Sequence, residues 1–179
     1  MKALILDTET TDLIKNSLLP EDQQPRVIEY FGQIVEDDGT VLDKLQFLCN
    51  PGHALSETTT KITGIKNSDV KGQPPFSHFE EQVRQQIASA DAIVAHNLGY
   101  DWDMLNFEFK RCGTEKLVVW PKIRICTVEQ TEWYKGFRLN LTALHEYLFG
   151  EPFKDAHRAE TDVNALTRCY LEMRRRGDI

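Results

Sequence analysis

Lys2-Ala3-Leu4-Ile5-Leu6-Asp7-Thr8-Glu9-Thr10-Thr11-Asp12 is the stretch that decides the reading of this chain. Residues 2–7 read as a short buried strand that runs into a polar segment at Asp7. Side chains alternate across a strand, so residues two apart share a face. Asp7 and Glu9 therefore aim both carboxylates at one point in space, as a divalent cation requires. A D-x-E triplet turns up by chance roughly once in a chain of this length. Its weight comes from position, because the carboxyl ends of buried strands are where α/β folds place their sites.

Working outward, Arg26 to Glu36 and Val41 to Cys49 read as two further strands joined by an Asp37-Asp38-Gly39 turn. The period changes near Ser77, where Ser77 and Glu80 match a capping box and Phe76, Phe79, Val83 and Ile87 recur at helical spacing. Ala92-Ile93-Val94-Ala95 is a short apolar strand that leads through His96-Asn97 into a helix carrying Leu105 and Phe109, stopped at Gly113. A strand is expected from Leu117 to Ile125, with Pro121 placing it at an edge. Helices follow near Val128–Tyr134 and Leu141–Leu148, and a last one from about His157 to Arg176. Three strands, then strands alternating with helices, predict an α/β fold with a mixed central sheet flanked by helices. Residues 1–179 are read as one domain.

The chain has 179 residues, enough to bury a core without disulfides or a structural metal. No apolar run approaches the twenty or so residues that span a bilayer. Asp7 interrupts the first apolar run before a secretory signal could form. The cysteines Cys49, Cys112, Cys126 and Cys169 are scattered without a C-x-x-C pair, which fits reduced residues and a cytoplasmic location. A net charge of −7 argues against a broad basic nucleic-acid-binding face. It leaves open a carboxylate nest whose cations meet phosphate.

Two more segments bear on that question. Asn97 and Asp101 stand four apart at the start of a helix, hence on one face, although both also suit plain helix capping. Asp162 lies three residues after Ala159 and four before Leu166, so it borders the apolar stripe of the final helix. A carboxylate turned toward a core needs a partner, and a metal is one. His157 stands at the start of the same helix; taken alone, it reads as a solvated histidine and Asp162 as a chance acid.

Taken together, D-x-E at Asp7 and Glu9, N-x-x-x-D at Asn97 and Asp101, and H-x-A-x-x-D at His157 and Asp162 resemble the DnaQ-like superfamily of 3′–5′ exonucleases, in its DEDDh branch. Asp7-Thr8-Glu9-Thr10-Thr11, Arg26-Val27-Ile28-Glu29, Ile62-Thr63-Gly64-Ile65 and Ala95-His96-Asn97 add to the likeness, which runs from Leu4 to about Tyr170. The resemblance implies a ribonuclease H-like fold and two Mg²⁺ or Mn²⁺ ions held by Asp7, Glu9, Asp101 and Asp162. It also implies His157 as general base. Thr8, Thr10 and Thr11 are expected to meet the terminal 3′-OH and last sugar, and His96, Asn97 and Tyr100 fall on the substrate side. Lys122, Arg124, Arg138 and Lys154 are candidates for a phosphate track. Two residues depart from the family pattern: Asp12 replaces the usual Gly, and Thr63 stands where His is common.

The function so implied is a metal-dependent 3′–5′ exonuclease releasing nucleoside 5′-monophosphates from single-stranded DNA ends. A 3′–5′ exoribonuclease of the ribonuclease T or oligoribonuclease type is the alternative, and a non-catalytic nucleic-acid-binding module the lesser one. The chain ends soon after its last helix, so a polymerase-binding tail is not expected and a polymerase partner is not indicated. A stand-alone bacterial or viral nuclease fits this pattern. No nucleophile elbow, phosphate-binding loop or zinc helix competes with this reading.

Overall fold

Five strands form one sheet in the order β3-β2-β1-β4-β5. β1 (Ala3–Thr10) is central. It runs antiparallel to β2 (Val27–Val35), which pairs with β3 (Val41–Leu48). On its other side it is parallel to β4 (Ala92–Ala95), and β4 is parallel to β5 (Ile123–Cys126). The computed structural model describes residues 1–153 and 158–179. Around the sheet lie α1 (Glu57–Thr63), α2 (Asn67–Val70), α3 (Glu80–Ala88), α4 (Leu98–Cys112), α5 (Thr127–Lys135), α6 (Leu141–Phe149) and α7 (Ala159–Arg176). The chain thus forms the α/β fold with a mixed sheet that its pattern predicts.

The two-residue period of β1 sorts its neighbours. Leu4 and Leu6 pack with Met104, Leu105 and Phe109 of α4, whereas Ala3 and Ile5 pack with Val163, Leu166 and Tyr170 of α7. Both faces are dry, so a continuous apolar run was needed there. β1 is also longer than its parallel neighbour. Pairing with β4 runs from Ala3↔Ala92 to Ile5↔Val94, and β4 ends at Ala95. Beyond Leu6, β1 continues to Thr10 with only β2 beside it, which opens a notch at the carboxyl end of the sheet.

Several local expectations need correction. Of the expected 117–125 strand only the last three residues pair with β4, and the strand runs on to Cys126; Glu115–Leu117 is a 3-10 turn, and Pro121 offers no N–H to a ladder. Ser77 does not cap a helix: Phe76–His78 forms a 3-10 turn after Pro75, and α3 starts at Glu80, whose carboxylate accepts from Arg84 instead. Asn97 occupies the N-cap position of α4 with φ of 79° but makes no side-chain cap bond. The final helix is seen from Ala159, and His157 and Lys154 lie outside the described residues. Among the described residues no helix is long and apolar enough to cross a membrane.

A buried charge network secures the long β1–β2 connection. Glu108 of α4 is 1% exposed and accepts from the Arg26 Nε (3.1 Å) and the Val27 N–H (3.1 Å), with Arg111 Nη1 at 2.8 Å. Arg111 in turn donates to the carbonyls of Glu21, Gln24 and Pro25. Deleting one partner of a buried pair strands the other charge. Glu108→Ala is therefore expected to lower unfolding stability by roughly 3–5 kcal/mol, measured by urea titration; a loss under about 1 kcal/mol, the size of a surface pair, would show the network to be incidental.

Candidate active site

Asp7 and Glu9 project from the overshooting end of β1 onto the α7 side, the side of Ala3 and Ile5. Asp162, in the first turn of α7, meets them there. One ligand atom from each of Asp7, Glu9 and Asp162 lies within 4.8 Å of the others. Three hard carboxylate oxygens at that separation suit Mg²⁺ or Mn²⁺ and no soft metal. The acids present therefore fit such an ion.

Asp101 approaches from the opposite side of β1. Thr8 points toward α4, and its N–H has no strand partner because β4 has already ended. The Asp101 carboxylate takes that place, accepting from Thr8 N–H at 3.0 Å and Thr8 Oγ1 at 2.7 Å. Asp101 is thus outside the three-acid cluster but close enough for its charge to act on Asp7.

A cavity of about 490 Å³ opens beside the acids. Thr8, Glu9, Thr10 and Thr11 form one wall and Thr59, Ile62 and Thr63 of α1 another. Tyr100 closes a third side, its hydroxyl hydrogen-bonded to Thr10 Oγ1 and donating to the Asp12 carbonyl at 2.9 Å. The exposed side chains of Leu13 and Ile62 stand at its mouth. The space fits one nucleotide-sized ligand, with apolar rims for a heterocycle and hydroxyls for a sugar.

The family model described as Exonuclease, RNase_T, matches residues 4–170. The chain belongs to this exonuclease family. It is similar to the PolC-type DNA polymerase III of Listeria innocua, with 33% identity over 165 residues, covering 90% of this chain and 10% of that protein. Its fold resembles exonuclease X in complex with 5′ overhanging duplex DNA (TM-score 0.65, 21% identity, 98% and 93% of the two chains). It also resembles the nuclease domain of 3′hExo, a DEDDh family member bound to rAMP (TM-score 0.75, 16% identity, 98% and 92%). The chain is a DnaQ-like exonuclease domain on a ribonuclease H-like scaffold. It spans about a tenth of the length of the polymerase it matches.

Among the residues singled out from sequence, Thr8, Thr10, Thr11 and Tyr100 line the cavity of the exonuclease. His96 and Asn97 do not. His96 Nδ1 pairs with Thr127 Oγ1 at 2.8 Å, and burial pushes its pKa down to about 4, so it acts as a neutral brace between β4 and α5. The departing residue Asp12 sits at the cavity edge with its carboxylate on Lys15 Nζ, 2.7 Å away. Thr63, the other departure, is buried in the cavity wall.

Two features escaped the sequence. One is α1, whose Ser56 N-cap accepts from Thr59 N–H and whose Gly64 closes it at positive φ; that Ser…Gly spacing was the available signal. The other is Glu29, directly opposite Glu9 in the β1–β2 ladder. Although 1% exposed, Glu29 takes both Nε and Nη2 of Arg158 (3.1 and 2.8 Å) and the Ala159 N–H (3.3 Å). It thereby pins the start of α7, and with it Asp162, against the strand that carries Glu9.

Crowded acids in a partly dry notch resist ionisation. Burial raises the Asp7 carboxyl well above the usual range, reinforced by Asp101, Glu9 and Asp162. Burial, then Asp162 and Glu29, raise Glu9 to about 8. Burial raises Asp101 to about 7 against the opposing Thr8 bonds. Without metal the folded state holds protons that the unfolded chain has released, so stability falls as pH rises from about 4 to about 8. A divalent cation should reverse this, most strongly above pH 8. Thermal melts in EDTA, Mg²⁺ and Mn²⁺ at pH 5.5 and 8.5 test it; equal metal rescue at both pH values would contradict the electrostatic account.

Proposed function

We propose that this exonuclease removes nucleoside 5′-monophosphates from the 3′ ends of single-stranded DNA in the cytoplasm, using divalent cations. The observation that carries the reading is the convergence of Asp7, Glu9 and Asp162 next to a one-nucleotide cavity. DNA is favoured over RNA because the relative of 33% identity is a DNA polymerase.

Asp7, Glu9 and Asp162 would hold one Mg²⁺ or Mn²⁺, with Asp7 and Asp101 serving a second. When bound, the ions supply the positive charge and Lewis acidity that a phosphodiester under attack requires. The chain itself does the rest. Asp101 is held by Thr8, which ties its carboxylate to the cavity wall. The hydroxyls of Thr8, Thr10 and Thr11 meet the terminal sugar, and Tyr100, Leu13 and Ile62 enclose its base. His157 takes the proton from the attacking water, as an imidazole titrating near neutrality can. A role in replication follows the polymerase relative, with a replicative polymerase as the candidate partner.

Digestion of 5′-labelled single-stranded DNA and RNA of one sequence, with Mg²⁺, Mn²⁺ or EDTA, tests the reading. Stepwise shortening of DNA from the 3′ end, lost in EDTA, is expected. Asp7→Asn should lose metal binding and about 10³-fold or more in kcat. His157→Ala should lose on the order of 10²–10⁴-fold in kcat while still binding metal and DNA. Faster loss of RNA would reassign the substrate, and degradation that persists in EDTA would overturn the mechanism.

A further inference from the structure

A second cavity, of about 290 Å³, lies on the other flank of the first turn of α4. Leu98 and Gly99 line it, whereas the next residue, Tyr100, lines the nucleotide cavity and Asp101 is bound to Thr8. Cys126 and Glu129 complete it from the carboxyl end of β5 and the first turn of α5. The cavity therefore opens at the same end of the sheet as the acids, one helical turn from them.

Its distinctive wall is a stack. Arg124 pairs in register with Ile93, which places it on the α4 side of the edge strand β5. There its guanidinium lies over the Trp102 ring at 3.8 Å, and Trp102 lies against Trp120 at a ring separation of 3.8 Å. Trp120 abuts Phe109 edge to face, so the pile is rooted in the core. Arg124 is exposed and makes no hydrogen bond or ion pair with any of the described residues. A guanidinium over one face of an indole can offer its own outer face to a further flat group.

We propose that this cavity receives a base of the DNA strand on the 5′ side of the scissile bond, stacked on Arg124. The inference rests on the nuclease reading above. Charge selects the base over the backbone: Asp103 and Glu129 also line the cavity and outnumber the single guanidinium, so a phosphate is repelled. A neutral heterocycle is not repelled, and its exocyclic amino groups can donate to those carboxylates. The strand would then be gripped at two places, by its terminal nucleotide and by a base further back, and would stay bound after each cleavage.

The test compares substrates by length. Wild type, Arg124→Ala and Arg124→Lys are assayed on the p-nitrophenyl ester of thymidine 5′-monophosphate, on a dinucleotide and on an eight-nucleotide single strand. For Arg124→Ala, KM on the eight-mer should rise about tenfold with kcat within twofold, the size expected for one lost base stack. The penalty should vanish on the p-nitrophenyl ester, which has no base on the 5′ side of its scissile bond, and persist on the dinucleotide, which has one. Lysine, with charge but no plane, should behave as alanine does. Unchanged KM on the eight-mer, an equal penalty on every length, or rescue by lysine each overturns the stacking site. A wild type that cleaves none of the three refutes the nuclease reading itself, and this inference with it.

Discussion

Crowding of half-buried carboxylates is the constraint around which this site is built. Asp7, Glu9 and Asp162 are held within contact distance of a common point, with Asp101 and Glu29 close behind, in a notch created where β1 outlasts β4. Such an arrangement is unfavourable for the bare chain: burial first, and then the neighbouring acids, raise the Asp7 and Glu9 carboxyls. It persists because each acid sits on an element anchored in the core by buried side chains, such as Ile5 of β1, Leu105 of α4 and Leu166 of α7. Binding free energy from a cation is then available to a site that folding has already assembled.

Two arginine clamps keep the surroundings of that notch in place by different means. The Glu108–Arg111 network anchors the chain between β1 and β2 to α4 through three backbone carbonyls. The Glu29–Arg158 pair anchors the start of α7 to β2. In each, one buried glutamate also accepts a backbone N–H, from Val27 in one case and Ala159 in the other. The charges are thereby satisfied in directions that also fix the backbone.

Much of the fold was legible because its signals are local. The apolar run at Ala3–Leu6, the Asp37-Asp38-Gly39 turn and the glycines after α4 and α6 each specify their element without reference to the rest. The D-x-E pair was legible for the same reason, since strand alternation alone puts Asp7 and Glu9 on one face. What failed depended on partners distant in sequence. Ser77 lost its cap to a proline-led turn, and α1 was hidden because a Thr-rich run has weak helix propensity. Nothing local announced that Glu29 would lie opposite Glu9, or that Asp101 would reach Thr8 from the far side of the sheet. The stack of Arg124 on Trp102 likewise depends on β5 pairing with β4.

The alternation of β1 also sets what heredity can alter here. Leu4 and Leu6 face one layer, Ala3, Ile5, Asp7 and Glu9 the other. A codon gained or lost between Leu6 and Asp7 would turn both acids into the aliphatic packing beneath α4 and bring threonine hydroxyls out in their stead. Exchange of side chains along this strand can be graded and repaired, but a change in count inverts the site at a stroke. Lineages carrying this domain should therefore accept exchanges among aliphatic residues along β1 while keeping its residue count.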